Sequence, residues 1–496
     1  MSILPFDNIL DEVKKHYVAF TLILFTIFIL RLPSLFEPFW YGDEGIFAAV
    51  ARNLNLGGTL YQTAWDNKPP MIYLTYAGIF GAFGVSMFAL RLVTLIVVLA
   101  TATTIYEIGF ETIGRRRALV ATAIFGILSS IRLVEGNLAL TEIFMILPIT
   151  LAFFISIKRK FDYWALFLAG GLFAIASLYK QVGAFEAGAL GLFLFLYVNN
   201  FWEFIKKGLV LALGFAIPYV VTLAYFFSKH LVGDFIFAAY TYYRIYLAES
   251  PKHAILVTGA KFLPILAAFS WGFWKKRRGE VNYISLFILW GAFSFLGSFF
   301  SGRTYGHYLI QVTPPLALLL ASLGSFRKMR IPTVVFILAF ILPIIFLTKT
   351  LFVGVTSRNL SEQFAYEKNF IDLARGAKST EAYNNYFDRN VNLLMAARDF
   401  LNLKGANGKS VYIWGDWSWL YAASDLRDPS RYVTSFHVFG VPGGKEEVIA
   451  SLSKSKPVYI IKTPNAIGHF DQLEKIILAD YKVVIEFNNV QIFERR

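Results

Sequence analysis

The chain of 496 residues contains no cysteine. It therefore has no disulfide and no thiolate metal site. Its six histidines are scattered without metal-ligand spacing, and no HExxH or EF-hand pattern occurs. GANGKS at 405–410 resembles the end of a phosphate-binding loop, but the first glycine of that motif would fall at Leu403, so the match fails. No convincing internal repeat is present. Charge is scarce: 16% of residues are Asp, Glu, Lys or Arg, against 56% hydrophobic. A net charge of +14 would suit nucleic acid, yet the basic residues form short clusters between apolar runs, as in KRK at 158–160 and KKRR at 275–278. That pattern marks membrane topology rather than a groove lining, so no nucleic-acid partner is expected.

What is abundant is apolar and aromatic. Fifty phenylalanines and 17% aromatic residues point to a polytopic membrane protein. Runs near the length of a bilayer span recur at 17–36, 87–110, 118–134, 140–157, 163–179, 182–200, 208–228, 256–274, 281–300, 308–325 and 331–350. This predicts about eleven helices. The first run lacks a small-x-small cleavage site and is expected to be a retained helix. Every second connection is basic: RRR (115–117), KRK (158–160), Lys206–Lys207, KKRR (275–278) and RKMR (327–330), with Lys14 and Lys15 on the same side. The positive-inside rule assigns these to the cytoplasm. The connections at 37–86, 135–141, 180–181, 229–255 and 301–307 then lie outside, as does everything after residue 350.

The first outer loop, 37–86, is long. Ile46, Phe47, Val50 and Leu54 recur at helical spacing and predict an interfacial helix over 44–55, ended by Gly57-Gly58. Pro69-Pro70 opens a second apolar helix running to Gly84. After residue 350 polar residues become common. VYIWG (411–415), PVYIIKT (457–463) and YKVVIEF (481–487) read as strands, with helices at 445–454 and 470–479 between them. The chain therefore divides into a membrane domain, 1–350, and a small α/β domain with a helical connector, 351–496.

The outer connections hold the unusual polar residues. WYGDEG (40–45) sets Asp43 and Glu44 side by side, either as cap and dipole partner of the helix that follows or as working acids. Glu142 lies in the first turn of a predicted span, and Glu135 competes with it for the role of a second acid. Lys68, Lys180, Arg244, and Arg303 with His307 are retained outside against the positive-inside bias. Each alone reads as an interfacial anchor; together they suggest an anion, with lipid phosphate the obvious one. A carboxylate can accept the proton of an attacking hydroxyl, and cations can stabilise a phosphate leaving group. The same cations would also serve a lipid transporter or flippase, or the chain could be an assembly factor presenting its tail. Three tryptophans in WGDWSW (414–419) are either a sugar-stacking platform or core packing.

GDEGIFAAVARNLNLGGTLYQTAWDNKPPMIYL (42–74) resembles the first outer loop of the lipid-phosphosugar-dependent GT-C glycosyltransferases, the superfamily of the aminoarabinose transferase of lipid A and the protein O-mannosyltransferases. GRTYGHYLIQVTPPLALLLA (302–321) and WGDWSWLYAASDLRDPSRY (414–432) are similar to later segments of that family. The resemblance implies a GT-C membrane domain with an extracytoplasmic tail domain. It implies an inverting transfer of a sugar from a polyprenyl-phosphate donor to a lipid, glycan or protein hydroxyl, at a prokaryotic plasma membrane. Asp43 matches the catalytic base, Glu44 the second acid of the pair, and Glu142 a second catalytic acid. Lys68 matches a lysine on the lipid phosphate; Lys180, Arg244, Arg303, His307 and Tyr308 match donor contacts. The aminoarabinose enzymes have Glu before KPP where this chain has Asn67, so recognition of an amino sugar is not implied. No cofactor is evident, and a divalent metal, which carboxylates could hold weakly, has no recognisable site.

Overall fold

The computed structural model describes residues 6–248, 255–303, 305–323, 341–342, 344–345, 360–464 and 466–496. The RKMR cluster, most of the expected span at 331–350 and the start of the connector lie outside them. In chain order the first helices are α1 Phe6–Arg31, α2 Gly42–Asn55, α3 Met71–Phe83, α4 Met87–Thr112, α5 Arg115–Leu128, α6 Thr141–Lys158 and α7 Tyr163–Tyr179. They are followed by α8 Phe185–Tyr197, α9 Phe201–Ser228, α10 Val232–Ile236, α11 Tyr243–Ala248, α12 Ile255–Lys276, α13 Tyr283–Phe299 and α14 Thr313–Ala321. Four segments are long and apolar enough to cross a membrane by length and composition: His16–Phe36, Met87–Thr112, Thr141–Lys158 and Phe201–Ser228. The shorter apolar helices include Tyr163–Tyr179, Gln181–Tyr197 and Tyr283–Phe299. The protein is an integral membrane protein.

The chain divides into two compact units. Unit one comprises Met1–Ser34, Thr94–Thr222 and Ser250–Phe364; unit two comprises Leu35–Val93, Leu223–Glu249 and Ala365–Arg496.

Unit one is a helical assembly with a continuous apolar core. Phe153 stacks on Trp290 with ring centroids 4.1 Å apart. Backbones of α7 and α9 nearly touch: a Cβ on Gly170 would lie 2.1 Å from the Leu211 carbonyl oxygen, and one on Gly214 1.9 Å from that of Phe167. Where apolar surface gives helices no preference for each other over lipid, such small residues supply close packing instead. Two expected spans are cut short for identifiable reasons. The run at 118–134 stops at Leu128, because the Arg31 guanidinium donates to the carbonyls of Ser129 (2.9 Å) and Gly136 (2.5 Å) and holds them off the helix. The chain then passes through a 3-10 turn to Glu135 at φ 53°. In the run at 308–325, Pro314 and Pro315 fit only a first turn, so α14 starts at Thr313 and Gly306–Val312 winds as 3-10 helix.

Unit two joins the first loop to a small sheet. α2 ends at Asn55 before Gly57, whose φ of 88° suits glycine, and α3 starts directly after Pro69-Pro70. β1 Val411–Trp414 runs parallel to β2 Tyr459–Lys462; β4 Val490–Arg495 lies antiparallel between β2 and β3 Tyr481–Phe487, giving the order β1-β2-β4-β3. The three expected strands and the two tail helices, Gly444–Ser455 and Asp471–Asp480, are present; β4 is an addition to the expected set. β1 is wholly buried. Edge strand β3 is irregular between Val483 and Ile485 and carries Lys482, which discourages further strand pairing. The tail tryptophans are packing residues. Trp414 lies against Phe439 and Phe470, Trp417 is buried, and Trp419 rests on Phe39 and donates from its indole N–H to the Tyr41 carbonyl at 3.0 Å.

Candidate active site

In unit two the two adjacent acids have different surroundings. α2 begins at Gly42 with Tyr41 as N-cap and no side-chain cap, so both acids sit in its first turn, where the dipole favours negative charge. Helical geometry points them to different faces. Glu44 is fully buried and forms a two-pronged ion pair with Arg91: Nη1 to Oε1 at 2.5 Å and Nη2 to Oε2 at 2.9 Å. Arg91 Nη2 also reaches Glu37 at 3.0 Å, and Glu37 accepts from Trp40 (2.8 Å) and Tyr366 (2.6 Å). This planar fork satisfies two carboxylates with one guanidinium. Asp43 is half-buried, and its carboxylate makes no hydrogen bond or ion pair among the described residues. Its charge still acts on His437 and Tyr76.

The backbone at α2 is set by the tail. A Cβ on Gly45 would meet Trp419 Cδ1 at 2.8 Å and its backbone nitrogen at 3.0 Å. Glycine at the end of WYGDEG therefore lets the tail lie directly on the acid-bearing turn.

Lys68 is also in unit two, half-buried, with its ammonium donating to Asn67 Oδ1 at 2.9 Å and lying 5.8 Å from the Phe47 ring centre. The neutral amide at position 67 orients the lysine, whose charge also acts on the neighbouring Asp66. Arg244, on α11 of the same unit, is exposed.

Unit one holds six of the expected residues, Glu135 included, and brings five of them together. Glu142, in the first turn of α6, is ion-paired with Lys180, which sits in the extended break between α7 and α8. Thr141 donates to Glu142 Oε2 at 2.8 Å, and the Lys180 ammonium lies 3.5 Å from the centre of the Tyr308 ring. His307 bridges the two competing acids: Nδ1 is 2.5 Å from Glu135 Oε2, and Nε2 is 4.0 Å from Glu142 Oε1. Glu135 and Glu142 are thus members of one buried cluster rather than alternatives. Tyr308 is held by its backbone carbonyl, which accepts from Ser298 Oγ at 2.6 Å. Arg303, half-buried, starts the segment that carries His307. Among the described residues no group of three or more acids and histidines has metal-holding geometry.

Three features escape a reading of the sequence. Arg91 is a single cation in an apolar run, which is itself a signal of a buried partner. Glu186 is another such case: buried in unit one, it accepts from Ser294 (3.0 Å) and Gln311 (2.7 Å). Asp66 and His437 form a pair in unit two, with Nε2 3.3 Å from Oδ1, and nothing in their spacing announces it.

Residues 67–226 match the family described as Dolichyl-phosphate-mannose-protein mannosyltransferase. No curated protein matches the chain in sequence. The crystal structure of ArnT from Cupriavidus metallidurans in the apo state is 16% identical, with 97% of this chain and 98% of that chain covered and a TM-score of 0.57. The same protein bound to undecaprenyl phosphate gives 14% identity, 96% and 97% coverage, and 0.56. The oligosaccharyltransferase AglB from Archaeoglobus fulgidus, in complex with an inhibitory peptide and a dolichol-phosphate, gives 11%, 91% and 69%, and 0.45. The chain has the GT-C fold of ArnT over nearly its whole length, and residues 67–226 carry the sequence match to the mannosyltransferase family.

Proposed function

We propose that this GT-C protein transfers a sugar from a polyprenyl-phosphate donor to an acceptor hydroxyl with inversion, in a single displacement. The acceptor oxygen attacks the anomeric carbon as the bond from that carbon to the phosphate oxygen breaks. The acceptor proton passes to the Asp43 carboxylate, and polyprenyl phosphate leaves with the bonding electron pair. The observation that carries this reading is the contrast within one helical turn: Glu44 is bound by Arg91, whereas the Asp43 carboxylate is unpaired among the described residues and half-exposed. An unpaired carboxylate open to an incoming hydroxyl is what a general base requires. Lys68 stabilises the charge that develops on the leaving phosphate. Lys180, Arg244, Arg303, His307 and Tyr308 are assigned to the donor, and Glu142 to holding Lys180. Glu44 supports the turn that presents Asp43. The basic connections face the cytoplasm in an eleven-helix topology, with Asp43, Lys68 and the tail domain on the other side. The membrane domain spans 1–350 and the tail domain 351–496.

The test is turnover by the purified full chain with a panel of polyprenyl-phosphate sugars and with lipid, glycan and peptide acceptors. Donor consumption yielding free polyprenyl phosphate and a glycosylated acceptor is expected. No turnover with any donor, together with donor movement across a vesicle bilayer, would replace the enzyme with a transporter.

A further inference from the structure

The first loop and the tail domain, far apart in sequence, are bound to each other within unit two by a defined set of contacts. The backbone N–H of Trp65 donates to the Arg431 carbonyl at 2.7 Å, and Trp65 bridges Tyr432 in strand fashion. Arg431 Nη1 donates to the Tyr61 carbonyl at 3.1 Å. The His437 ring meets the Trp65 indole edge-on, with centroids 4.9 Å apart. His437 stands on the short helix Ser435–Gly440, whose start is fixed by Asp416: Thr434 and Ser435 donate their hydroxyl protons to Asp416 Oδ1.

A chain of polar contacts runs from this interface to Lys68. His437 Nε2 faces Asp66 Oδ1 at 3.3 Å, and both residues are 2% exposed. The Tyr73 hydroxyl donates to Asp66 Oδ2 at 2.6 Å and accepts from the Lys68 backbone N–H at 3.2 Å. On its other side the Lys68 carbonyl accepts from the Tyr61 hydroxyl at 2.7 Å. The main chain of Lys68 is thereby held at both ends by tyrosines that are themselves tied to the tail. We propose that His437 of the tail domain is a positioning residue that sets Lys68 through Asp66 and Tyr73. Its effect on the donor rests on the reading of Lys68 given above.

The tautomer follows from the surroundings. His437 Nδ1 is buried with no hydrogen-bond partner among the described residues, so a proton there would be stranded. The proton belongs on Nε2, where it faces the Asp66 carboxylate, as carboxylates commonly fix imidazole orientation. Asp66, Lys68, Asp416 and Asp43 are the charged groups acting on the ring, and burial, the largest influence, holds its pKa below the ordinary histidine value. Burial also opposes the ionisation of Asp66, but Lys68, His437 and the Tyr73 hydroxyl outweigh it and leave its pKa below the usual carboxylate range. A neutral imidazole with its Nε2 proton towards an ionised Asp66 is the state consistent with both shifts.

The experiment uses the full chain in lipid nanodiscs with His437→Ala, His437→Gln, Tyr73→Phe, Lys68→Ala and the double variant His437→Ala/Lys68→Ala. Amide hydrogen exchange is read over the loop peptide containing Lys68, and binding is measured with sugar-free undecaprenyl phosphate. His437→Ala should speed exchange of that peptide about tenfold and weaken binding. His437→Gln, whose amide reaches the Nε2 position, should restore both. Tyr73→Phe, which cuts the chain without touching the tail, should reproduce the alanine effect if His437→Ala does not fold. The double variant should bind no more weakly than Lys68→Ala alone, because the two act in series. Unchanged loop exchange in both His437→Ala and Tyr73→Phe, or fully additive binding losses, would overturn the proposal. A loosened loop with wild-type binding in Lys68→Ala would uphold the clasp and refute the phosphate role of Lys68.

Discussion

Both compact units fix their buried acids with partners, and unit two also presents one acid, Asp43, that has none among the described residues. In unit one Glu142 is neutralised by Lys180, and Glu135 is satisfied by His307. In unit two Glu44 is neutralised by Arg91, and Asp428, in the tail, is half-buried with one carboxylate oxygen wholly enclosed, its other oxygen accepting from Ser430 and no cation on it among the described residues. Burial pushes the Asp428 carboxyl up to about 8, so a proton does for it what Arg91 does for Glu44. Asp43 has neither full burial nor, among the described residues, a cation. Acids fixed by a partner hold the framework, while an unpaired, half-exposed acid is the one proposed for the reaction.

The sharpest way to break that comparison is to remove a cation. Arg91→Leu would strand Glu37 and Glu44, and should cost about 3–5 kcal/mol of stability, read as unfolding of the protein in detergent by heat or denaturant. If Arg91→Leu unfolds like the wild type, the pair is not structural. Lys180→Met should cost about as much, and Lys180→Met/Glu142→Leu should recover most of the stability while leaving donor turnover low. Full recovery of turnover in that pair would reduce the cluster to framework.

A pH titration sharpens the comparison next. The folded Asp428 carboxyl titrates near 8, and the unfolded one at its ordinary value of about 4. Because the folded value is the higher, its contribution to stability is complete below about pH 4 and is lost as pH rises towards 8. Thermal stability of the tail should therefore decline across this window, and Asp428→Asn should flatten the decline. An unchanged slope in the variant would show that Asp428 is ionised in the fold. The smallest effect concerns the docking of Trp419. Gly45→Ala places a methyl group against that indole, and should cost about 1–3 kcal/mol with a matching loss of turnover. A stabilised protein would mean that the tail yields at this contact.

Local features are readable in the sequence. Gly57 and Pro69-Pro70 bound α2 and α3 because glycine and proline act on their own backbone, with no distant partner needed. Strands β1 to β3 follow from short β-branched and aromatic runs, while β4 in VQIFER is hidden behind Asn488-Asn489 in a polar ending. The ends of two spans differ from expectation, since hydropathy does not register a carbonyl captured by Arg31, 98 residues away from Ser129. Site residue types are legible, and their partners are not. Glu44 and Arg91 are separated by 47 positions, Asp66 and His437 by many more, and no periodicity links them. Arg91 and Glu186 stand out as ionisable residues inside apolar runs, though nothing in the sequence names their partners.

The central claim is that Asp43, not Glu44, accepts the acceptor's proton. Its most direct test is single-turnover transfer from a polyprenyl-phosphate sugar by wild type and Asp43→Asn, prepared alike and saturated with donor. The account predicts a rate lower by about 10²–10⁴-fold in the variant, with undecaprenyl phosphate binding and thermal stability unchanged. Transfer by Asp43→Asn at the wild-type rate would contradict it.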